Sequence, residues 1–412
     1  MQSTTRRAVS LVSLAVLLSY VILVALRIDQ QTLVPDYAAF YAVAKALVAG
    51  GLSASHNLYS LRFQLAATKF LSHGPGHAYV VPFVALPPAA WAVIPFTWLS
   101  LWPSFYLWDT ICLGLCVIGT FWLARHEQLG LDATPLALAL LASYPTYTSL
   151  GDGEYDLLWP LCLALFTFAW SCSSAWGRWP RTAAASFLFA FKPDLLLLLV
   201  VPAVAAWRRR AVREAVVCLA LLAGVTVALV GIPGLLRLPH IESYTLFSRF
   251  PPTQDETVLG IFWRITGHGA LTQDLAWASL ALALLGLSWA WWHNPPQSSR
   301  DWKLALTSTV CLSLLVAPHS LHHDLLLLVG PAVWTAAVLK DSGRSLRWLA
   351  GWIVLFNAAI LVDASPRFTL PIPITPIVLL LAALVAWWAR RSLARAPAGA
   401  VSENATGSPA PG

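Results

Sequence analysis

This 412-residue sequence predicts an all-α, polytopic membrane protein, and three observations carry that reading. Hydrophobic residues make up 58% of the chain and charged residues only 11%, with a mean hydropathy of +0.68, far from the balance of a soluble domain. Apolar stretches near the ~20 residues needed to cross a bilayer recur along almost the whole chain and leave no room for a separate soluble domain. Arginines cluster at the ends of those stretches, as cytoplasmic anchors beside anionic lipid do. The formal charge of +7 therefore points to a membrane surface and not to nucleic acid.

The first element is Ala8 to Leu26, preceded by Arg6 and Arg7. It is long enough to span, and V-A-L-R-I-D offers no small-x-small cleavage site, so an uncleaved first helix with a cytoplasmic start is expected. Residues 29–78 then form an outer interfacial loop, with short amphipathic helices at Tyr37–Val48 and Leu58–Leu71 separated by the breaker G-G-L-S-A-S-H-N. The segment Y-V-V-P-F-V-A-L-P-P-A-A-W-A-V-I-P carries four prolines, each removing a backbone donor that lipid cannot replace. It is expected to dip into a cavity and return.

With that segment not crossing, charge segregates well. Arg125-His126, the G-R-W-P-R turn (Arg178, Arg181), Arg208 to Arg213, residues 340–347 and Arg390, Arg391 and Arg395 fall inside. Asp36, G-D-G-E-Y-D (151–156), a second outer loop at 232–273 and H-S-L-H-H-D (319–324) fall outside. About twelve crossings result, within one domain covering residues 1–393. Two apolar runs, Ala183–Phe191 and Leu195–Ala206, are short for full spans and flank Lys192-Pro193. Half-length helices meeting there would bring Lys192 to a water-filled cavity. Residues 394–412 are small, polar and proline-rich, as a disordered cytoplasmic tail is. No internal repeat is evident. The six cysteines lie in or beside apolar runs without a C-x-x-C pair and read as buried apolar side chains.

On this map the unusual polar groups share one face. Asp36, Tyr37, Tyr41 and Lys45 come from the first loop, and Asp152, Glu154 and Asp156 from the acidic turn. Lys192, then Arg237, His240, Glu242 and Arg249, then His319, His322, His323 and Asp324 complete the set. Carboxylates suit removal of a proton from a sugar hydroxyl, whereas lysine, arginine and histidine suit a phosphate. Plainer roles compete: Asp36 as a helix cap, Lys45 snorkelling to the interface, 151–156 as only a tight turn between two spans. Whether that acidic motif binds a metal or an acceptor stays open at this point. The histidines lack a spacing that specifies zinc. Lys192 is the hardest to explain away, because the apolar runs on both sides give it no easy route to water.

D-Y-A-A-F-Y-A-V-A-K-A-L-V-A-G-G followed by N-L-Y resembles the first-loop signature of glycosyltransferase family 87, membrane enzymes of the C-type glycosyltransferase fold. The proline-rich segment, F-K-P-D-L-L-L-L-L-V-V-P and S-L-H-H-D-L-L-L-L-V-G-P are similar to later family segments, so the likeness is spread over most of the chain. The resemblance implies a hexosyltransferase that moves a sugar, mannose or another hexose, from a polyprenyl-phosphate donor to a glycolipid or glycan hydroxyl with inversion. Asp36 would be the general base. Lys192, His322, His323 and Arg249 would hold the donor phosphate, and Tyr37, Tyr41, Lys45, Asp152, Glu154 and His319 the acceptor or sugar. It implies no cofactor and no metal, and a bacterial inner membrane with the site on the periplasmic side. Where family members carry glycine-glutamine and then asparagine, this chain has G-D-G-E-Y-D, a departure that bears on sugar and acceptor specificity. The rival reading from another class is a transporter or flippase of lipid-linked sugars, since broken helices with charges at membrane depth occur there too.

Overall fold

Lipid cannot satisfy free backbone N–H and C=O groups, so apolar chain of this length is expected to fold as helix. The computed structural model describes residues 3–29, 36–68, 82–238, 240–241, 255–267, 269–318, 320–365 and 372–394, and among them there is no strand. The chain runs α1 (Ser3–Asp29), α2 (Tyr37–His56), α3 (Leu61–Thr68), α4 (Pro87–Val93), α5 (Leu101–His126), α6 (Ala133–Leu141), α7 (Tyr144–Asp152), α8 (Trp159–Ser171) and α9 (Ala175–Phe189). It continues with α10 (Val200–Ala205), α11 (Arg210–Val230), α12 (Ile232–Leu235), α13 (Val258–Thr266) and α14 (Ala270–His293). Last come α15 (Ser299–Val316), α16 (Val329–Asp341), α17 (Arg347–Asp363) and α18 (Ile374–Ala394).

Among the described residues, seven helical segments are long and apolar enough to cross a membrane: α1, α2, α5, α11, α14, His322–Asp341 and α18. Other apolar runs form shorter helices, such as Gly130–Leu141 and Tyr155–Ser171. Leu11, Val12 and Ile22 on α1, Leu221 on α11 and Leu282 on α14 are all exposed, as side chains solvated by acyl chains are. The interior holds α5 and α8, whose backbones touch. A Cβ on Gly119 would sit 2.3 Å from the Leu161 backbone nitrogen, so only glycine allows this approach.

Three seven- or four-residue 3₁₀ turns lead into α-helices: Tyr155–Leu158 into α8, Pro193–Leu199 into α10, and His322–Leu328 into α16. Their sequences, Y-D-L-L, P-D-L-L-L-L-L and H-H-D-L-L-L-L, share an acid followed by leucines. The expected break at Lys192 is present, with Lys192 at φ −148°, ψ 70° between α9 and the second turn.

Several boundaries differ from expectation. The helix begun at Tyr37 does not stop at Val48. It runs to His56 with a kink at Gly51 (φ 55°, ψ −135°), and every residue from Tyr37 to Ala44 is buried. The aromatic side chains explain this, because Phe40 packs on Phe83 and Tyr37 stacks on Trp108. The next helix starts at Leu61, since Leu58 and Tyr59 are buried in the preceding turn. G-R-W-P-R is not a turn but lies inside α9, and the turn falls at Cys172–Ser174, whose Cys172 and Ser173 carbonyls accept from Arg178 at 3.1 Å. Among its described residues, the proline-rich segment contains only the seven-residue α4 and a 3₁₀ turn at Ile94–Phe96; at about 1.5 Å per residue, α4 is too short to cross. The tail beyond Ala394 lies outside the described residues.

Candidate active site

The three 3₁₀ turns and the start of α2 place ionisable side chains together. Asp36 stands at the N-cap position of α2 without capping it through its side chain. Its carboxyl instead shares a hydrogen bond with that of Glu154, which follows Gly153 at the end of α7. Gly153 takes φ +69°, and a Cβ there would lie 2.7 Å from both the Tyr37 Cβ and the Phe105 ring. The close packing of that turn thus fixes Glu154 against Asp36. The Gly153 carbonyl is held by Trp108 Nε1 at 3.0 Å.

Asp156 heads the first 3₁₀ turn and is fully buried. One of its oxygens accepts from Trp159 Nε1 at 2.7 Å, and its carboxyl lies against that of Asp324. Asp324, also fully buried, forms an ion pair with Lys192 and accepts the Leu321 backbone N–H at 2.7 Å. Lys192 further interacts with Asp156, Asp194 and Glu154. His323 sits among the acids: Nδ1 is 3.9 Å from Asp152, and Nε2 is 3.8 Å from Asp156 and 4.0 Å from Asp324. Glu154, Asp156 and His323 each offer a ligand atom, all within 4.8 Å of one another, so a metal ion could be held there.

His322 points elsewhere. Its Nε2 lies 2.7 Å from the carboxylate of Glu256, just ahead of α13 and outside the long apolar helices. Burial raises the Glu256 carboxyl above the usual carboxylate range, and the His322 imidazole opposes that shift. Tyr37 and Tyr41 stand behind the cluster. The Tyr37 hydroxyl meets Ser104 at 2.5 Å, and that of Tyr41 donates to the Leu99 carbonyl at 2.7 Å. Lys45 lies on the exposed side of α2, with Nζ 3.5 Å from the Tyr41 hydroxyl. Arg249 and His319 lie outside the described residues, as does Glu242.

The structure therefore brings Asp36, Asp152, Glu154, Asp156, Lys192, His323 and Asp324 into one cluster and adds Asp194. Besides Asp194, two further acids are not singled out by the sequence. Asp109, buried on α5 and interacting with Asp152, is an acid inside an apolar helix, a signal that should have singled it out. Glu256 sits in a polar stretch, T-Q-D-E-T, where nothing distinguishes it.

An all-α, multi-pass membrane protein with charged chemistry gathered at the breaks between its helices is the class that fold and site define. The signature of glycosyltransferase family 87 matches residues 83–318, more than half of the chain, and the chain belongs to that family. It is a membrane glycosyltransferase, acting on a sugar donor and an acceptor. No curated protein and no solved structure matches the chain. The matched stretch includes Glu154, Asp156, Lys192 and Glu256, whereas Asp36, His323 and Asp324 flank it.

Proposed function

We propose that the protein transfers a hexose, mannose being the first candidate, from a polyprenyl-phosphate donor to a glycolipid or glycan hydroxyl, with inversion and with Asp36 as general base. One observation carries this reading. Asp36, Lys192 and His323, far apart in sequence, meet around the same buried acids. Asp36 accepts the proton of the acceptor hydroxyl as its oxygen forms a bond to the anomeric carbon. The bond from that carbon to the phosphate oxygen breaks on the opposite face, and its electron pair leaves with polyprenyl phosphate. Glu154, hydrogen-bonded to Asp36, orients the base.

Lys192 is the cation nearest the departing phosphate, where negative charge grows in the transition state, and the imidazole of His323 stands beside it. His322, held by Glu256, supports the neighbouring turn. The apolar proline-rich segment lines the path of the lipid tail.

Arg6, Arg178, Lys303 and Arg390 all pair with acids at the opposite end of the helices from this cluster. By the positive-inside rule that end is cytoplasmic, which favours a bacterial inner membrane with the site facing the periplasm. The test is incubation of the purified protein with polyprenyl-phosphate hexoses, scoring release of polyprenyl phosphate. Loss of a general base lowers rates by about 10²–10⁴-fold, and Asp36→Asn is expected to do so. Near-wild-type turnover by the folded variant would remove the base assignment.

A further inference from the structure

Among the described residues, the cluster holds far more acid than base. Asp36, Asp152, Glu154, Asp156, Asp194 and Asp324 surround one lysine and one imidazole. Two pairs of carboxyl groups are in direct contact, Asp36 with Glu154 and Asp156 with Asp324. Like charges this close require a proton or a cation between them. An anionic phosphate would also be repelled by such a surface.

We propose that Glu154, Asp156 and His323 form a binding site for one divalent cation, with Mn²⁺ the closest chemical match. Geometry supplies the first support. Three ligands at about 2.0–2.2 Å from one metal stand about 3–4 Å apart, so atoms that already lie within 4.8 Å of one another need draw in by no more than about 1 Å.

The second support is independent of the clustering. Asp156 Oδ2 is completely buried and accepts no backbone or side-chain N–H and no hydroxyl O–H among the described residues, while the Asp324 carboxyl lies against the same group. Trp159 fixes the other oxygen of the same carboxylate at 2.7 Å, leaving Oδ2 turned toward His323 Nε2 at 3.8 Å. A buried carboxylate oxygen without a donor is costly unless something cationic meets it.

The surroundings fit as well. Asp152, 3.9 Å from His323 Nδ1, stands where a carboxylate orients a metal-bound imidazole through its other nitrogen. Asp324 is occupied by Lys192 and the Leu321 amide and so is not needed as a ligand. Two carboxylates with one imidazole suit a cation between the hard, all-oxygen class and zinc. Three protein ligands leave coordination positions for oxygens of a phosphate. That last role rests on the proposed function, whereas the cation site rests on geometry alone.

The experiment uses the full chain in detergent, stripped with chelator and titrated with Mn²⁺ while free Mn²⁺ is followed by electron paramagnetic resonance. One Mn²⁺ per chain is expected, with a spin-echo modulation from an imidazole nitrogen. Glu154→Gln and Asp156→Asn should each weaken binding at least tenfold, and Asp152→Asn should weaken it by about 10–100-fold through the imidazole. Absence of a stoichiometric site in the wild-type protein would overturn the proposal, as would a bound Mn²⁺ without nitrogen coupling. The wild-type measurements decide even where a variant does not fold. Polyprenyl-phosphate release that is unchanged after chelation would remove the cation from donor binding while Mn²⁺ still bound. No release under any condition, with Mn²⁺ bound, would instead count against the proposed function.

Discussion

The two ends of the helix bundle handle charge differently. At one end, Arg6 meets Asp132, Arg178 meets Glu214, Lys303 meets Glu127 and Arg390 meets Asp301, one base to each acid. About 20 Å away along α8, six carboxyl groups share Lys192 and His323. Balanced pairs neutralise charge and join helix ends. An unbalanced cluster at comparable burial carries free energy that packing alone gives no reason to keep. The contrast separates anchoring from chemistry without reference to any relative.

The sharpest way to break this contrast is Lys192→Met. Removing one partner of a buried ion pair costs about 3–5 kcal/mol, and here Asp324, Asp156 and Glu154 all lose their cation. The expected outcome is a large loss of folded protein in denaturant titrations, together with loss of sugar transfer. Adding Asp324→Leu should recover part of the stability and none of the transfer.

Arg178→Met is the matched change at the other end and is expected to lower the melting temperature by several degrees. Adding Glu214→Leu should restore most of it, because a well-packed apolar pair replaces an ion pair at little cost. Transfer per folded molecule should remain normal in both variants. Equal recovery of activity at the two ends would erase the distinction.

Gly153→Ala comes next. The added Cβ collides with Tyr37 and Phe105, and the left-handed φ adds strain, so about 1–3 kcal/mol of overpacking is expected. Glu154 should shift from Asp36, so transfer should fall more than stability does. The smallest effect belongs to Arg6→Ala, whose side chain is 26% exposed in its pair with Asp132; below about 1 kcal/mol is expected by thermal melting.

Much of this contrast was legible in the sequence, for reasons that differ from residue to residue. Lys192 stood out because apolar chain on both sides left it stranded, and proline after it marked the break. Asp36 stood out through the motif around it. His322 and His323 were indistinguishable, since adjacent positions at a helix start give no clue to direction; only Glu256, from a distant loop, draws His322 away. Tyr37 and Tyr41 looked like sugar-binding aromatics, yet their spacing four apart equally describes one buried helix face. The kink at Gly51 falls where the sequence predicts a stop, because glycine pairs punctuate both turns and bent helices.

The 3₁₀ turns beneath the cluster carry a dynamic consequence. Their i→i+3 ladders have poorer hydrogen-bond geometry than the α-helices that follow, and runs of seven are uncommonly long. Backbone amides at 194–199 and 322–328 should therefore exchange with solvent deuterium ahead of those in α8 and α16. Earlier exchange there would mark the floor of the site as less tightly held than the scaffold packed around it.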